Sequence, residues 1–270
     1  MAEHDKVYWH PAFFETLQLE FDRYSESLNF INEFQLSKEA LRIDVLITNK
    51  NPGQHIDKNI GRIFKTYNVF EFKSETDSLL VQDYNKVIGY AFLYSSFTNV
   101  SVSDITVSFS ITKHPRELLK YLSDERGFKI EKQEKGIYYV RGDAFPVQII
   151  EGKLLSSKEN LFLRNLSSKL SVPDVKETIE AYKKIKPSNE KGMYLDRLIQ
   201  ANRNAFKEAM SVSEAVKELF FEVAEEDGWL EQDRTENAKK MAKKLLFLGV
   251  SAEKIAEASG LPIELVASLA

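Results

Sequence analysis

The chain has 270 residues, of which 43% are hydrophobic and 29% are charged, and its formal net charge at pH 7 is -4. This length and apolar content allow one large domain with a sizeable core, or a domain with a smaller appendage. The sequence contains no cysteine, which excludes disulfides and thiolate metal sites, and its acidic balance provides no overall basic field for nucleic acid.

Neither a secretion signal nor a membrane span is expected. The sequence begins MAEHDKVYWHP, without the apolar stretch and cleavage site of a signal peptide, and it contains no run of about 18 apolar residues. We therefore expect a cytoplasmic protein that has no membrane partner. A zinc site is not expected either, because zinc needs several convergent ligands and the histidines are far apart. They are His4, His10, His55 and His114.

Helical and strand-like patterns alternate in the first half of the chain. In chain order, we predict a helix at 11–27, strands at 28–36, 41–48 and 67–73, a helix at 78–95, a strand at 104–112, a helix at 115–122, and strands at 128–130, 137–141 and 147–150. The first helix has one apolar face, whereas the helix at 78–95 is apolar over much of its circumference, which indicates burial on more than one side.

The pattern changes after residue 155, where only helices are predicted. Their ranges are 159–167, 173–184, 192–210, 212–224, 234–248, 252–259 and 263–269. The order of elements predicts an α/β fold, with an α/β core at 1–155 and an all-helical region at 156–270 that ends in a helical hairpin.

Two of the predicted strands carry charged residues inside apolar runs. Asp44 lies in LRIDVLI, and Glu71 and Lys73 lie in VFEFKS. Charged groups avoid buried strands unless something there needs them. The strand period of two places Glu71 and Lys73 on one face and Phe72 on the other, and pairing of the two strands would bring Asp44 towards Glu71.

This combination of residues suits metal-assisted hydrolysis of a phosphodiester. Mg²⁺ (or Mn²⁺) prefers carboxylate and water oxygens, and we expect Asp44, Glu71 and the backbone carbonyl of Phe72 to bind it. Lys73 would orient the attacking water or help to deprotonate it. Purely structural roles stay open beside this one: Glu71 and Lys73 can be an ion pair on an edge strand, and Asp44 can be a turn or cap residue.

The surrounding sequence resembles a known family. A helix, a strand with Asp, a strand with E-x-K and a long helix follow one another as in the PD-(D/E)XK nuclease superfamily. The segments RIDVLI, IGRIFKTYNVFEFKS, DYNKVIGYAFLY and KKLLFLGVSAEKIAEASGL resemble its transposase-associated, Rpn-like branch more closely. The resemblance implies a restriction-endonuclease-like mixed sheet flanked by helices. It also implies a metal-dependent DNA endonuclease linked to mobile elements, recombination or defence.

The resemblance assigns roles to single residues. Asp44 matches the motif aspartate, Glu71 the acidic residue of (D/E)XK and Lys73 the lysine, while Ile43 replaces the proline of the family name. The superfamily often adds a glutamate from the first helix. Glu20 is the candidate here and Glu15 the alternative, although a solvated glutamate on the outer face of a helix is the more frequent case. Residues after the motif that are expected to line the cleft are Ser74, Gln82 and Lys86.

The carboxyl-terminal hairpin has helix-turn-helix spacing at Ala256, Gly260 and Val266. Its second helix lacks Arg, Lys, Asn and Gln to read bases, and residues 211–270 contain 7 basic and 12 acidic residues, a balance that repels DNA. We therefore favour a packing or self-association hairpin, and a homodimer through these helices, over a DNA-binding regulator.

The leading functional hypothesis is a divalent-metal-dependent DNA endonuclease. The alternative is a catalytically silent binding or scaffold protein that keeps the PD-(D/E)XK fold, which the acidic composition and the apolar terminal hairpin would suit.

Overall fold

The computed structural model describes residues 9–35, 42–51, 53–185, 193–226, 229–247 and 250–269. The chain divides into two compact units, Met1–Val216 and Lys217–Ala270. The predicted α/β class is confirmed, since a mixed sheet with flanking helices is followed by a helical carboxyl-terminal region.

The first unit is built on a mixed sheet of seven strands. They are β1 (Leu28–Gln35), β2 (Arg42–Asn49), β3 (Tyr67–Lys73), β4 (Ile105–Ile111), β5 (Lys129–Glu134), β6 (Ile137–Arg141) and β7 (Val147–Glu151). Their order in the sheet is β1-β2-β3-β4-β7-β6-β5. The three central strands β3, β4 and β7 are parallel, and the remaining pairs are antiparallel. The central strands are buried almost throughout, as expected of parallel strands.

Helices cover both faces of this sheet. They are α1 (His10–Glu20), α2 (Val81–Thr98), α3 (Arg116–Lys120), α4 (Ser157–Asn165), α5 (Val172–Tyr182), α6 (Met193–Ala201) and α7 (Arg203–Met210). On one face, Tyr84 of α2 stacks on Phe109 of β4, with ring centroids 5.4 Å apart. On the other face, Phe13 of α1 stacks on Phe72 of β3 at 4.6 Å. The alternation along β3 therefore directs Val69, Glu71 and Lys73 towards α2.

The second unit contains α9 (Trp229–Phe247), α10 (Ala252–Ser259) and α11 (Ile263–Ala267). The division between the units falls within α8 (Glu214–Glu226). A small core joins α9, α10 and α11 through Ala242, Ile255, Leu261 and Val266. Gly260 ends α10 with a φ of 70°, a left-handed value that glycine adopts without steric cost.

Several elements differ from the predicted ones in their ends. Strand β5, for example, is predicted to end at residue 130 and runs to Glu134. Three of the predicted helices end or break differently. The helix predicted at 11–27 ends at Glu20, where a short 3₁₀ turn over Asp22–Tyr24 follows. The helix predicted at 115–122 continues as a π turn to Glu125. The helix predicted at 192–210 is two helices, α6 and α7, because Asn202 at the break donates its side-chain amide to the carbonyls of Ser167 and Leu198.

The division into units does not coincide with the predicted boundary at residue 155. Helices α4 to α7 belong to the first unit, and α4 and α6 pack on α1. The predicted strand ends at 36 and 41, the helix start at 192 and the helix end at 248 lie outside the described residues. Within the described part of the chain, no helix combines the length and the apolar character that crossing a membrane requires.

Candidate functional site

The site lies where β2 and β3 stop pairing. Their antiparallel register runs from Thr48 opposite Tyr67 to Val45 opposite Phe70. The next pair in this register is Asp44 and Glu71, and residues directly opposite each other in antiparallel strands project from the same face. Beyond the last pair of the ladder, the Asp44 carboxylate, through Oδ2, accepts the backbone N–H of Phe72 at 2.9 Å.

The backbone of Phe72 faces the same gap. In an antiparallel pair, the N–H and C=O of one residue point to the same neighbouring strand. Because the N–H of Phe72 points towards Asp44 on β2, its carbonyl faces the space between β2 and β3. This is the position that a third oxygen ligand beside Asp44 and Glu71 would need.

Two lysines and one aspartate lie around Glu71. Lys73 Nζ lies 3.2 Å from Glu71 Oε1 and 3.0 Å from Asp83 Oδ1. Lys86 Nζ lies 3.7 Å from the same Glu71 oxygen. Asp83 and Lys86 come from the first turns of α2, so this helix supplies one acid and one base to the face on which Glu71 and Lys73 project.

Glu71 is the most perturbed group of this cluster. Its side chain is 7% exposed, and burial, followed by the negative charge of Asp44, raises its pKa from 4.5 to about 7. The positive charges of Lys73 and Lys86 oppose this rise without cancelling it. Two carboxylates thus face each other with incomplete compensation, an arrangement that a bound cation would relieve.

Lys73 remains an ammonium group at neutral pH. Burial lowers its pKa, but the hydrogen bond to Asp83 and the charge of Glu71 outweigh burial, and the net direction is upwards. A lysine whose pKa is raised cannot readily accept a proton from water. Of the two roles that the sequence suggested for Lys73, this geometry favours positioning over proton abstraction.

His10 is a member of the cluster that sequence reasoning missed. Its Nε2 lies 3.5 Å from Asp44 Oδ2, and the edge of its ring contacts Phe72. The contact with Asp44 raises the pKa of His10, while burial opposes the rise. The sequence signal that could have indicated His10 was its position at the start of the first helix. The apolar face of that helix covers Phe72 in the structure. Asp83, which was also missed, occupies the first turn of the second helix.

Glu20 is not brought to this cluster. Its carboxylate pairs with Lys58 at 2.5 Å and accepts the backbone N–H of Leu163 at 2.8 Å. Burial raises its pKa, and the charge of Lys58 opposes that rise. His10 marks the end of α1 that reaches Asp44, and Glu20 follows ten residues later, roughly 15 Å along the helix. Glu20 therefore anchors α1 to Lys58 and to α4, away from the cluster.

Glu15, the alternative, is also engaged elsewhere. It accepts hydrogen bonds from the Tyr182 hydroxyl and from the backbone N–H of Tyr194. Of the residues expected in the cleft, Lys86 reaches Glu71, whereas the buried Ser74 donates its hydroxyl to Asp77 in the turn after β3. Gln82 is exposed at the start of α2.

The donor set fits Mg²⁺ or Mn²⁺ as a partly hydrated ion. Throughout the described ranges, no three side chains of Asp, Glu, His or Cys gather as a preformed metal site. Mg²⁺ is usually held by one or two carboxylates and keeps several waters. Asp44, Glu71 and the carbonyl of Phe72 are consistent with that mode, and they are inconsistent with a zinc site of histidines.

Comparisons with models of known protein families, with curated proteins and with solved structures each returned no match.

Proposed function

We propose that this protein is a divalent-metal-dependent DNA endonuclease of the PD-(D/E)XK superfamily, close to its Rpn-like, transposase-associated branch. One observation carries the proposal: Asp44 and Glu71 occupy opposite positions on two parting strands, with the Lys73 ammonium 3.2 Å from Glu71 on the same face. We propose a cytoplasmic location and a role in mobile-element, recombination or defence pathways, as the family resemblance implies.

The layout of the surrounding elements supports a restriction-endonuclease-like core. The antiparallel strands β1, β2 and β3 are followed by β4, which is parallel to β3. Helices α1 and α2 lie on opposite faces of this part of the sheet, so the parting strands open between them. The motif residues Glu71 and Lys73 therefore lie at the carboxyl-terminal end of β3, beside the point where its pairing with β2 stops.

Each residue of the cluster has a chemical task in the proposed reaction. Asp44, Glu71 and the carbonyl of Phe72 would hold Mg²⁺ or Mn²⁺, which when bound supplies charge neutralisation and an activated water. The N–H of Phe72 fixes the Asp44 carboxylate, which limits its rotation. The charged Lys73 donates hydrogen bonds to a phosphate oxygen or to the attacking water, in the positioning role that its raised pKa favours.

A catalytically silent binding or scaffold protein is the second candidate. It is favoured by the position of Lys73 and Lys86, which both already lie against Glu71 and partly neutralise it without a metal. In either case we propose a homodimer through the carboxyl-terminal helices, where Met241 is 62% and Phe247 92% exposed. Cutting both strands of a duplex with one site per chain requires two copies.

Cleavage of supercoiled plasmid separates the two candidates. We expect nicking in Mg²⁺ or Mn²⁺ and none in EDTA. The variants Asp44→Asn, Glu71→Gln and Lys73→Met should each lose at least about 100-fold in rate, since each removes a charge at the reacting centre. Asp57→Asn is the matched control, because Asp57 is an exposed aspartate of the same unit whose side chain is 79% accessible.

Two results would decide against the nuclease. Equal cleavage by the wild type and all three site variants would show that the activity comes from another site or a contaminant. No cleavage of plasmid, linear duplex or single strands in either metal would favour the silent scaffold.

A further inference from the structure

Asp83 links the amino terminus of α2 to Lys73. Its Oδ2 accepts the backbone N–H of Leu80 at 3.1 Å, which caps the first turn of the helix. Its Oδ1 accepts the Lys73 ammonium at 3.0 Å. One carboxylate thus ends a helix with one oxygen and holds the motif lysine with the other, so the position of Lys73 depends on where α2 begins.

Lys73 needs a carboxylate partner that is not itself a ligand of the metal. Its side chain is only 15% exposed, and its other carboxylate partner is Glu71 at 3.2 Å. A cation bound by Glu71 would compensate that carboxylate and repel the nearby ammonium. Without Asp83, Lys73 would either remain bound to Glu71 in competition with the cation or turn away from the site.

We propose that Asp83 is a positioning residue that holds the Lys73 ammonium in place while Glu71 binds the metal. This inference rests on the proposed nuclease function, and it extends that function to a residue outside the D/E-x-K motif. Asp83 itself touches neither the substrate nor the metal in this arrangement. Its effect on the reaction passes through the ammonium groups it faces, chiefly Lys73 at 3.0 Å, with Lys86 at 3.9 Å from the same oxygen.

The chain provides a matched control in α5. Asp174 occupies the same third position of its helix, where its Oδ2 accepts the backbone N–H of Ser171 at 3.1 Å and the Ser171 hydroxyl. The variants Asp83→Ala and Asp174→Ala therefore remove equivalent caps from two helices of the first unit. Only Asp83→Ala removes a partner from Lys73. A difference in kcat between the two variants therefore reports the positioning of Lys73 and not helix capping.

Plasmid cleavage and nuclear magnetic resonance test the proposal together. We expect Asp83→Ala to lower kcat by roughly 10- to 100-fold with little change in KM, the scale of a misplaced catalytic group. Asp174→Ala should keep the wild-type kcat. The Tm of both variants should fall by a similar amount, roughly 2–4 °C. Asp83→Asn, which keeps an oxygen for the ammonium, should recover most of the lost kcat.

The Lys73 ammonium signal in the ¹⁵N-labelled protein gives a readout that is independent of cleavage. Hydrogen bonding slows proton exchange with water, and saturating Mg²⁺ removes Glu71 as the competing partner of Lys73. In saturating Mg²⁺ the signal should therefore be visible in the wild type, in Asp83→Asn and in Asp174→Ala, and should vanish in Asp83→Ala. Persistence of the signal in Asp83→Ala, or an equal loss of kcat in Asp174→Ala, would overturn the proposal. A wild type that cleaves nothing would refute the nuclease function, while the signal would still decide whether Asp83 holds Lys73.

Discussion

Replacement of Glu71 by glutamine should stabilise the protein at alkaline pH. Glu71 has its pKa raised from 4.5 to about 7, because it is buried and faces the charge of Asp44. Since one pKa unit is worth about 1.4 kcal/mol, the ionised carboxylate lowers the free energy of unfolding by up to roughly 3 kcal/mol. Glutamine keeps the shape and cannot ionise, so Glu71→Gln should recover up to that amount.

The sign of the effect follows from the proton balance. Below pH 4.5 the Glu71 carboxyl is protonated in both the folded and the unfolded chain, and it makes no difference to stability. Between pH 4.5 and about 7, the folded state binds more protons at this group than the unfolded state does, so the free energy of unfolding falls as pH rises. Above that range the ionised Glu71 lowers the free energy of unfolding by its full amount.

Urea unfolding followed by circular dichroism at pH 5 and pH 8 measures this difference. We expect the free energy of unfolding of Glu71→Gln to exceed that of the wild type by about 2–3 kcal/mol at pH 8, and by well under half of that at pH 5. Glu75→Gln is the control, because its effect on the free energy of unfolding should have the opposite sign. Burial raises the Glu75 pKa, but hydrogen bonds from Lys153, Ser168 and Ser167 lower it to about 2 overall, so its loss should destabilise the protein at pH 8.

Saturating Mg²⁺ should stabilise the wild type at pH 8 and leave Glu71→Gln unchanged, since only an ionised Glu71 gains from a cation. A Glu71→Gln protein that is less stable than the wild type at pH 8 would refute the reasoning. It would mean that Lys73 and Lys86 compensate Glu71 completely and that the carboxylate pair has no need of a cation.

Two further predictions concern the helices. Asn202→Ala should lower the free energy of unfolding by roughly 2–4 kcal/mol in urea, because it removes a buried amide that accepts the N–H of Leu170 and donates to two carbonyls; a loss below about 1 kcal/mol would contradict this role. The double variant Met241→Glu and Phe247→Glu should convert a dimer into a monomer in light scattering, with plasmid nicking kept and double-strand cutting lost. A wild type that is monomeric at micromolar concentration would contradict the proposed dimer.

The sequence was informative where the deciding contacts are local or follow from strand alternation. Glu71 and Lys73 are two residues apart in one strand, so the period of two alone places them on one face. Asp44 required one further assumption, that β2 pairs with β3, and the register places it next in line opposite Glu71.

Contacts between distant parts of the chain could not be predicted in this way. Helical periodicity gives the buried face of α1, but it does not show that Glu20 meets Lys58 and the backbone of Leu163, 143 residues away. The same limit explains why the boundary predicted at residue 155 does not coincide with the division after Val216. Glu15 binds Tyr182 and Tyr194 from helices that a change of composition had assigned to a separate region.

The two candidate functions differ in what compensates Glu71. In a silent scaffold, Lys73 and Lys86 would be the permanent partners of Glu71, and removal of its charge would take one carboxylate partner from each of the two ammonium groups. In a nuclease, the lysines compensate only partly, and the protein accepts a less stable apo state so that a cation can bind. The raised pKa of Glu71 and the second carboxylate that Asp83 gives Lys73 both favour the nuclease. A gain in stability for Glu71→Gln at pH 8, together with loss of nicking, is the combined result that this reasoning requires.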